Sequence, residues 1–277
     1  MLKSISMWAL KDFEKRPAKE LFAEAKEHGF DGIEVVIGNA GHLTPDTTQG
    51  QCKELVKTAE KVGIRISSLG SGLGWGHPLS TTDTEARKKA IDVLKKSLRV
   101  GGWLGIDCIL LVPGVVSGLG AKGKEHTPYD VAYKNMQSAI RDCVSTAEKA
   151  RVKIGVENVW NKVLLTPLEM RDFIDGCGST WAAAYLDVGN MIVTGYAEDW
   201  IRILGKRVAC VHFKDFKRDV GTLAGFCDLL EGDVNYPEVM KAFREIGYDG
   251  ACVAEFFGLD SAGLGKVSAA MDKILAM

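Results

Sequence analysis

Four apolar runs in this chain each stop on a group that can hold a proton or a cation: "VKIGVE" on Glu157, "AAAYLD" on Asp187, "RVACVH" on His212 and "GACVAE" on Glu255. Carboxylate oxygens together with one imidazole suit a divalent ion such as Mn2+, Mg2+, Co2+ or Zn2+. Without such an ion they resist assembly, because two unit charges about 4 Å apart repel by on the order of 4 kcal/mol at intermediate dielectric. One carboxylate at a strand end is ordinarily a solvated rim residue or a helix cap, and His212 alone would read as a hydrogen-bonded rim histidine. Four such groups in the same relative place form the pattern of one shared metal.

The elements that must position them alternate along the whole chain. Strand-like runs fall near 2–8, 32–37, 64–69, 107–112, 153–157, 182–187, 208–213 and 251–256. Helical patterns fall near 17–28, 47–62, 83–101, 128–150, 167–176, 197–204, 236–246 and 262–275. In the segment 47–62, Asp46 or Thr47 can cap the start, Leu55, Val56, Ala59 and Val62 recur at helical spacing, and Gly63 ends it. Gly29 in "EHGFDGIEV" and Gly247 in "EIGYDGACV" read as left-handed residues that stop a helix before the next strand. Eight strands alternating with eight helices, without a linker, predict an α/β fold: a single-domain (β/α)8 TIM barrel over residues 1–277. In such barrels the site lies at the C-terminal rim of the strands, where Glu157, Asp187, His212 and Glu255 would line one arc from strands five to eight. Two Gly-rich loops on that side, "GSGLGWGHPLS" and "PGVVSGLGAKGKEHTP", are further candidates for building it.

Composition narrows the partners. A net charge of −1 argues against a nucleic-acid surface. The N-terminus meets Lys11 and Asp12 before a long apolar core develops, and no run approaches the roughly 18 apolar residues of a membrane span. Seven scattered cysteines without a CxxC pair read as small buried hydrophobes in a reducing cytoplasm.

The pieces "VEN" at 156–158, "LDVGN" at 186–190, "VHFKD" at 211–215, "GDVNYPEV" at 232–239 and "AEF" at 254–256 carry a resemblance over nearly the whole chain. It resembles the sugar phosphate isomerase/epimerase superfamily with the xylose isomerase-like barrel, which includes ketose 3-epimerases, L-ribulose- or L-xylulose-5-phosphate 3-epimerases and inosose dehydratases. The resemblance implies that Glu157, Asp187, His212 and Glu255 bind one divalent metal, commonly Mn2+, and that Glu157 and Glu255 are the acid/base pair. It implies a substrate-binding role for Arg218, a small-molecule sugar or sugar phosphate as partner, and a homodimer or homotetramer. The chain departs from the free-ketose epimerases at Asn190, where they place a histidine, and at Val163, where they place a glutamate. Its "DVGN" and "HFKD" look more like the sugar-phosphate branch.

Epimerisation needs a base, an acid on the opposite face and stabilisation of the enediolate between them. A metal chelating the substrate's oxygens would act as the Lewis acid. If the proton returns to a neighbouring carbon, the enzyme is an aldose–ketose isomerase; if a hydroxyl leaves, it is a lyase of the inosose dehydratase kind. An endonuclease of the same barrel type would need additional histidines for three metals, and a non-catalytic sugar-binding protein would have no use for two rim glutamates. Around the metal, Asn190, Lys214, Arg218, His77 and Trp75 are the expected substrate contacts, with Asp215 orienting, Lys217 and Arg218 available to a phosphate, and Trp8 and Trp160 walling the pocket. Glu34 reads as a group behind the metal ligands, a substrate contact or a buried partner of a lysine. His28 reads as a helix C-terminal charge.

Overall fold

The computed structural model describes residues 1–117 and 126–277. Eight parallel strands, Leu2–Ser6, Gly32–Ile37, Arg65–Ser71, Cys108–Leu111, Lys153–Glu157, Ala182–Asp187, Val208–Phe213 and Ala251–Ala254, close into a barrel in which the first pairs with both the second and the last. Helices fill the outside, among them Thr84–Leu104, Tyr129–Ala150 and Tyr236–Ile246. Their apolar faces bury Phe22, Phe173 and Phe243 against the strands, each such side chain being worth roughly 1.5–3 kcal/mol over its exposed state.

Successive side chains on a strand alternate between faces, and this period sets the site. Inside the barrel Tyr185, Cys210 and Val253 pack with Cys108, Leu110 and Val112. Two residues further along their strands stand Asp187, His212 and Glu255, which therefore share that inward face at the upper rim. Glu157 follows Gly155 in the same way; a Cβ on Gly155 would come 2.6 Å from Cys108 Sγ and 3.0 Å from Tyr185 Cβ, so glycine leaves room for the neighbouring strands' side chains to pack. Two register shifts complete the alignment. One between Ala184 and Tyr185 sets Asp187 level with His212. The other, between Ile33 and Glu34, sets Glu34 level with Ser68.

Several boundaries differ from the sequence expectation, for local reasons. The first strand stops at Ser6 rather than at residue 8, because Ser6 accepts the Trp8 N–H and starts a 3-10 turn over Met7–Ala9. Thr48, not Asp46 or Thr47, caps the helix Gln49–Val62, through a reciprocal capping box with Gln51. Thr47 instead accepts the Thr44 N–H at 2.8 Å. Within "GSGLGWGHPLS" the residues Leu73–Gly76 form one helical turn. Of the loop "PGVVSGLGAKGKEHTP", residues 118–125 lie outside the described residues. After the seventh strand, Asp215–Phe216 and Phe226–Cys227 pair as a small antiparallel sheet that the sequence did not signal. No helix among the described residues is long and apolar enough to cross a membrane.

The left-handed stops are where they were expected: Gly29, Gly63 and Gly247 have φ of +81°, +79° and +70°. Gly247→Ala should therefore destabilise the fold by about 1–2 kcal/mol. Gly50→Ala, in the first turn of a helix where only Thr48 Oγ1 at 4.0 Å would face the new methyl, should leave stability unchanged or raise it. Thermal unfolding of the two variants tests the contrast.

Candidate active site

Glu157, Asp187, His212 and Glu255 are all buried, and one ligand atom from each lies within 4.8 Å of the others. Asp187 is fixed at both ends. Its Oδ1 accepts the N–H groups of Gly189 and Asn190, both at 2.9 Å, which commits one oxygen to the turn and leaves Oδ2 for the centre. Asn158 clamps its backbone, donating from Nδ2 to Asp187 O and accepting the Asp187 N–H on Oδ1, each at 2.8 Å. Gly189 is required beside it, since a Cβ there would meet Lys214 Cβ at 2.7 Å.

His212 is held from behind. Its Nε2 lies 3.1 Å from Glu34 Oε1, and the Glu34 carboxylate also receives the hydroxyls of Ser68 at 2.9 Å and of Tyr185. Three donors thus converge on a side chain with no solvent exposure. This assigns the imidazole proton to Nε2 and turns Nδ1 toward the other ligands, the arrangement a metal-bound histidine uses. Gly70 keeps the space open, because a Cβ there would stand 2.8 Å from Glu34 Oε1.

The electrostatics ask for positive charge. Asp187 Oδ2, His212 Nδ1 and Glu255 Oε2 are buried without a hydrogen-bond partner. Asp187 Oδ2 lies 3.0 Å from Lys214 Nζ, and His212 Nδ1 lies 3.1 Å from Glu255 Oε2; these contacts are close enough for attraction but misaligned for hydrogen bonding. The Lys214 ammonium reaches both Asp187 and Glu255, standing as a cation among their oxygens. Burial pushes the Glu157 carboxyl up to about 7. Burial acts on Glu255 as well, but Lys214 and His212 overcome it and hold that carboxyl well below its ordinary range. For His212 burial favours the neutral ring, yet Glu255 and Glu34 outweigh it and raise the imidazolium well above its usual range. A divalent ion would reverse this balance by lowering the carboxyls and displacing any proton from Nδ1. With all three carboxylates ionised, the single ammonium leaves negative charge in excess, which a divalent ion would offset. The donor set, the unpartnered atoms and the ammonium stand-in all fit such an ion.

A cavity of about 710 Å³ opens above the cluster, lined by Glu157 and Glu255 and by Trp75, Asn190 and Lys214 among the expected substrate contacts. Trp8 and Trp160 wall it as expected, and Asp215 lines it too. Asp215, however, serves the loop, accepting the N–H groups of Phe216, Leu230 and Val234 at 2.9, 2.9 and 3.1 Å. Gly232 packs so close that a Cβ would be 2.2 Å from Asp215 Oδ1. Two expected contacts lie outside the lining. His77 is the non-helical residue that ends the turn Leu73–Gly76, and it borders a separate small cavity with Ser71, Leu79 and Ile109. Arg218 stacks its guanidinium 4.6 Å above the Tyr196 ring and donates to Gly195 O at 3.2 Å, bracing two loops. Lys217 is exposed. Asn158 was not singled out by sequence reasoning, although "VEN" contained it; no spacing rule marks an asparagine that pairs with a strand end 29 residues away.

Because Glu34 orients the imidazole, Glu34→Gln should weaken Mn2+ affinity by roughly 10- to 100-fold while the circular dichroism spectrum is retained. Calorimetric titration of the stripped protein measures this, and an unchanged affinity would remove Glu34 from that role.

Comparison with known proteins agrees with the barrel. A family model described as xylose isomerase-like TIM barrel matches residues 22–274. The putative L-ribulose-5-phosphate 3-epimerase SgbU of Escherichia coli K12 is 25% identical over 264 residues, covering 88% of this chain and 87% of the relative. The D-psicose 3-epimerase of Enterocloster bolteae is 28% identical over 269 residues, covering 90% and 82%. A crystal structure of D-psicose 3-epimerase in the presence of D-fructose superimposes over 100% of both chains with a TM-score of 0.82 at 19% identity. The relatives named here are sugar 3-epimerases, which are isomerases, and this chain, with its closed eight-stranded barrel, belongs to the xylose isomerase-like TIM barrel family.

Proposed function

We propose that this chain, as one barrel domain over residues 1–277, is a metal-dependent epimerase or isomerase of a sugar or sugar phosphate. The observation that carries the reading is the convergence of four ligand atoms within 4.8 Å of one another, with both glutamates of the set facing the cavity. Glu157, Asp187, His212 and Glu255 would hold the ion, for which Mn2+ is the first choice. Bound there, it would supply the positive charge that polarises a substrate carbonyl.

The chain's own groups do the rest. The four residues stand on consecutive strands of the barrel, so Glu255 and Glu157 occupy the two ends of the arc and approach a sugar carbon from different sides. One removes the proton next to the carbonyl, and the other returns a proton to the opposite face. Lys214 is placed to donate to a substrate oxygen, and Trp8, Trp75 and Trp160 offer indole faces to the C–H faces of a sugar ring and exclude water. We place the reaction in the cytoplasm on the strength of the free cysteines, and in a homodimer or homotetramer on the strength of the resemblance to the family.

Incubating the metal-loaded protein with ketoses, their 5- and 6-phosphates and inososes in D2O, and following deuterium incorporation by NMR, tests the proposal. Exchange at the carbon beside the carbonyl with an epimeric product supports it; a dehydrated product would move the assignment to a lyase of the inosose dehydratase kind. Glu157→Gln and Glu255→Gln should each reduce exchange by about 10²- to 10⁴-fold with the fold retained, and full activity in either would remove that residue from proton transfer. Stripping with a chelator should abolish exchange and Mn2+ should restore it.

A further inference from the structure

The cavity is larger and more apolar than one sugar ring requires. A hexose has twelve heavy atoms and takes no more than roughly 360 Å³ even if each is given a water's share of liquid volume, about 30 Å³. The cavity measures about 710 Å³. The excess has an aromatic wall: Trp8 lies 6.2 Å from Phe257 between ring centroids, and Trp160 lies 5.6 Å from Phe226. At its outer edge Phe257 and Leu223 line the cavity while remaining 69% and 54% exposed, large apolar side chains left wet beside a binding cleft. Among the described residues the lining offers one cation, Lys214, which stands at the glutamate end beside Asp187 and Glu255 and 5.5 Å from the centroid of the Phe226 ring. Arg218, the other cation expected for a phosphate, is turned onto Tyr196.

We infer that the outer half of the cavity is a subsite for a second ring with an apolar face, so that the substrate is an unphosphorylated glycoside whose sugar arrives already at the ketone level, with a free ring carbonyl at the glutamates, and whose aglycone lies between Trp8, Phe226, Leu223 and Phe257. Aromatic side chains recognise such a ring through its flat apolar face, at little conformational cost. A phosphate between Trp8, Leu223 and Phe257 would meet apolar side chains, with Lys214, the one cation of the described lining, at the glutamate end.

This inference rests on the proposed sugar chemistry, but binding of unreactive probes tests it separately. The Mn2+-loaded protein is titrated with phenyl β-D-glucopyranoside, methyl β-D-glucopyranoside and glucose 6-phosphate, reading dissociation constants by calorimetry or ligand-observed NMR. Phenyl glucoside should bind at least tenfold more tightly than either of the others, and the double variant Phe257→Ser, Leu223→Ser should erase its advantage over methyl glucoside. Equal affinities, tighter binding of the phosphate, or no binding at millimolar concentration would overturn the subsite. So would a double variant that changes the association state in sedimentation while the phenyl preference persists, because the apolar rim would then serve a second copy of the chain. Phenyl preference without deuterium exchange on any substrate would sink the epimerase reading and leave the subsite standing; exchange on free ketoses without phenyl preference would do the reverse.

Discussion

Three carboxylates crowded around one imidazole at the mouth of a barrel constitute a debt of positive charge, and the surrounding structure is arranged around it. Buried like charges at these separations repel by several kcal/mol unless a cation intervenes. The Lys214 ammonium, reaching Asp187 and Glu255, supplies part of that charge. Groups behind the cluster hold the ligands in place against the repulsion: Asn158 and the turn at Gly189–Asn190 fix Asp187, and Glu34 fixes His212. A cluster so braced is preorganised, which is what lets a bound ion act on substrate without waiting for the protein to rearrange.

The scaffold contributes through geometry rather than chemistry. Strand alternation brings all four groups inward, the register shift at Tyr185 sets Asp187 level with His212, and the one at Glu34 sets Glu34 level with Ser68. Tyr185 links the two levels, since it packs with Cys210 and Val253 in the barrel interior and hydrogen-bonds Glu34 beneath the histidine. Above the rim, Asp215 gathers the backbone of the loop after the seventh strand, so that Leu223 and Phe226 become walls of the cavity. Fold and site therefore share residues, and a change such as one at Gly155 or Gly232 would disturb both.

How much of this was legible in the sequence follows from the range of the forces involved. The alternation of strands and helices and the left-handed glycines are local, and segments such as Pro167–Gly176 and Tyr236–Ile246 fall where periodicity and capping put them. The four ligands were visible because each breaks an apolar run. Glu34 was noticed, but its partner His212 is 178 residues away, and no local pattern chooses between imidazole and lysine. The direction of His77 depends on a single turn at Leu73–Gly76 in a glycine-rich stretch with poor helix propensity. The two-residue strands after His212 are too short to show any period, so the loop that closes the cavity emerged only from the pairing of Phe216 with Phe226.

The central claim is that a divalent ion completes this cluster. Anomalous diffraction from crystals grown with Mn2+ tests it most directly. The account predicts one Mn2+ in direct coordination contact with donor atoms of Glu157, Asp187, His212 and Glu255, with the Lys214 ammonium displaced from between the two carboxylates. An ion bound elsewhere, or a Lys214 still bridging Asp187 and Glu255 in saturating Mn2+ with no metal at the cluster, would contradict it.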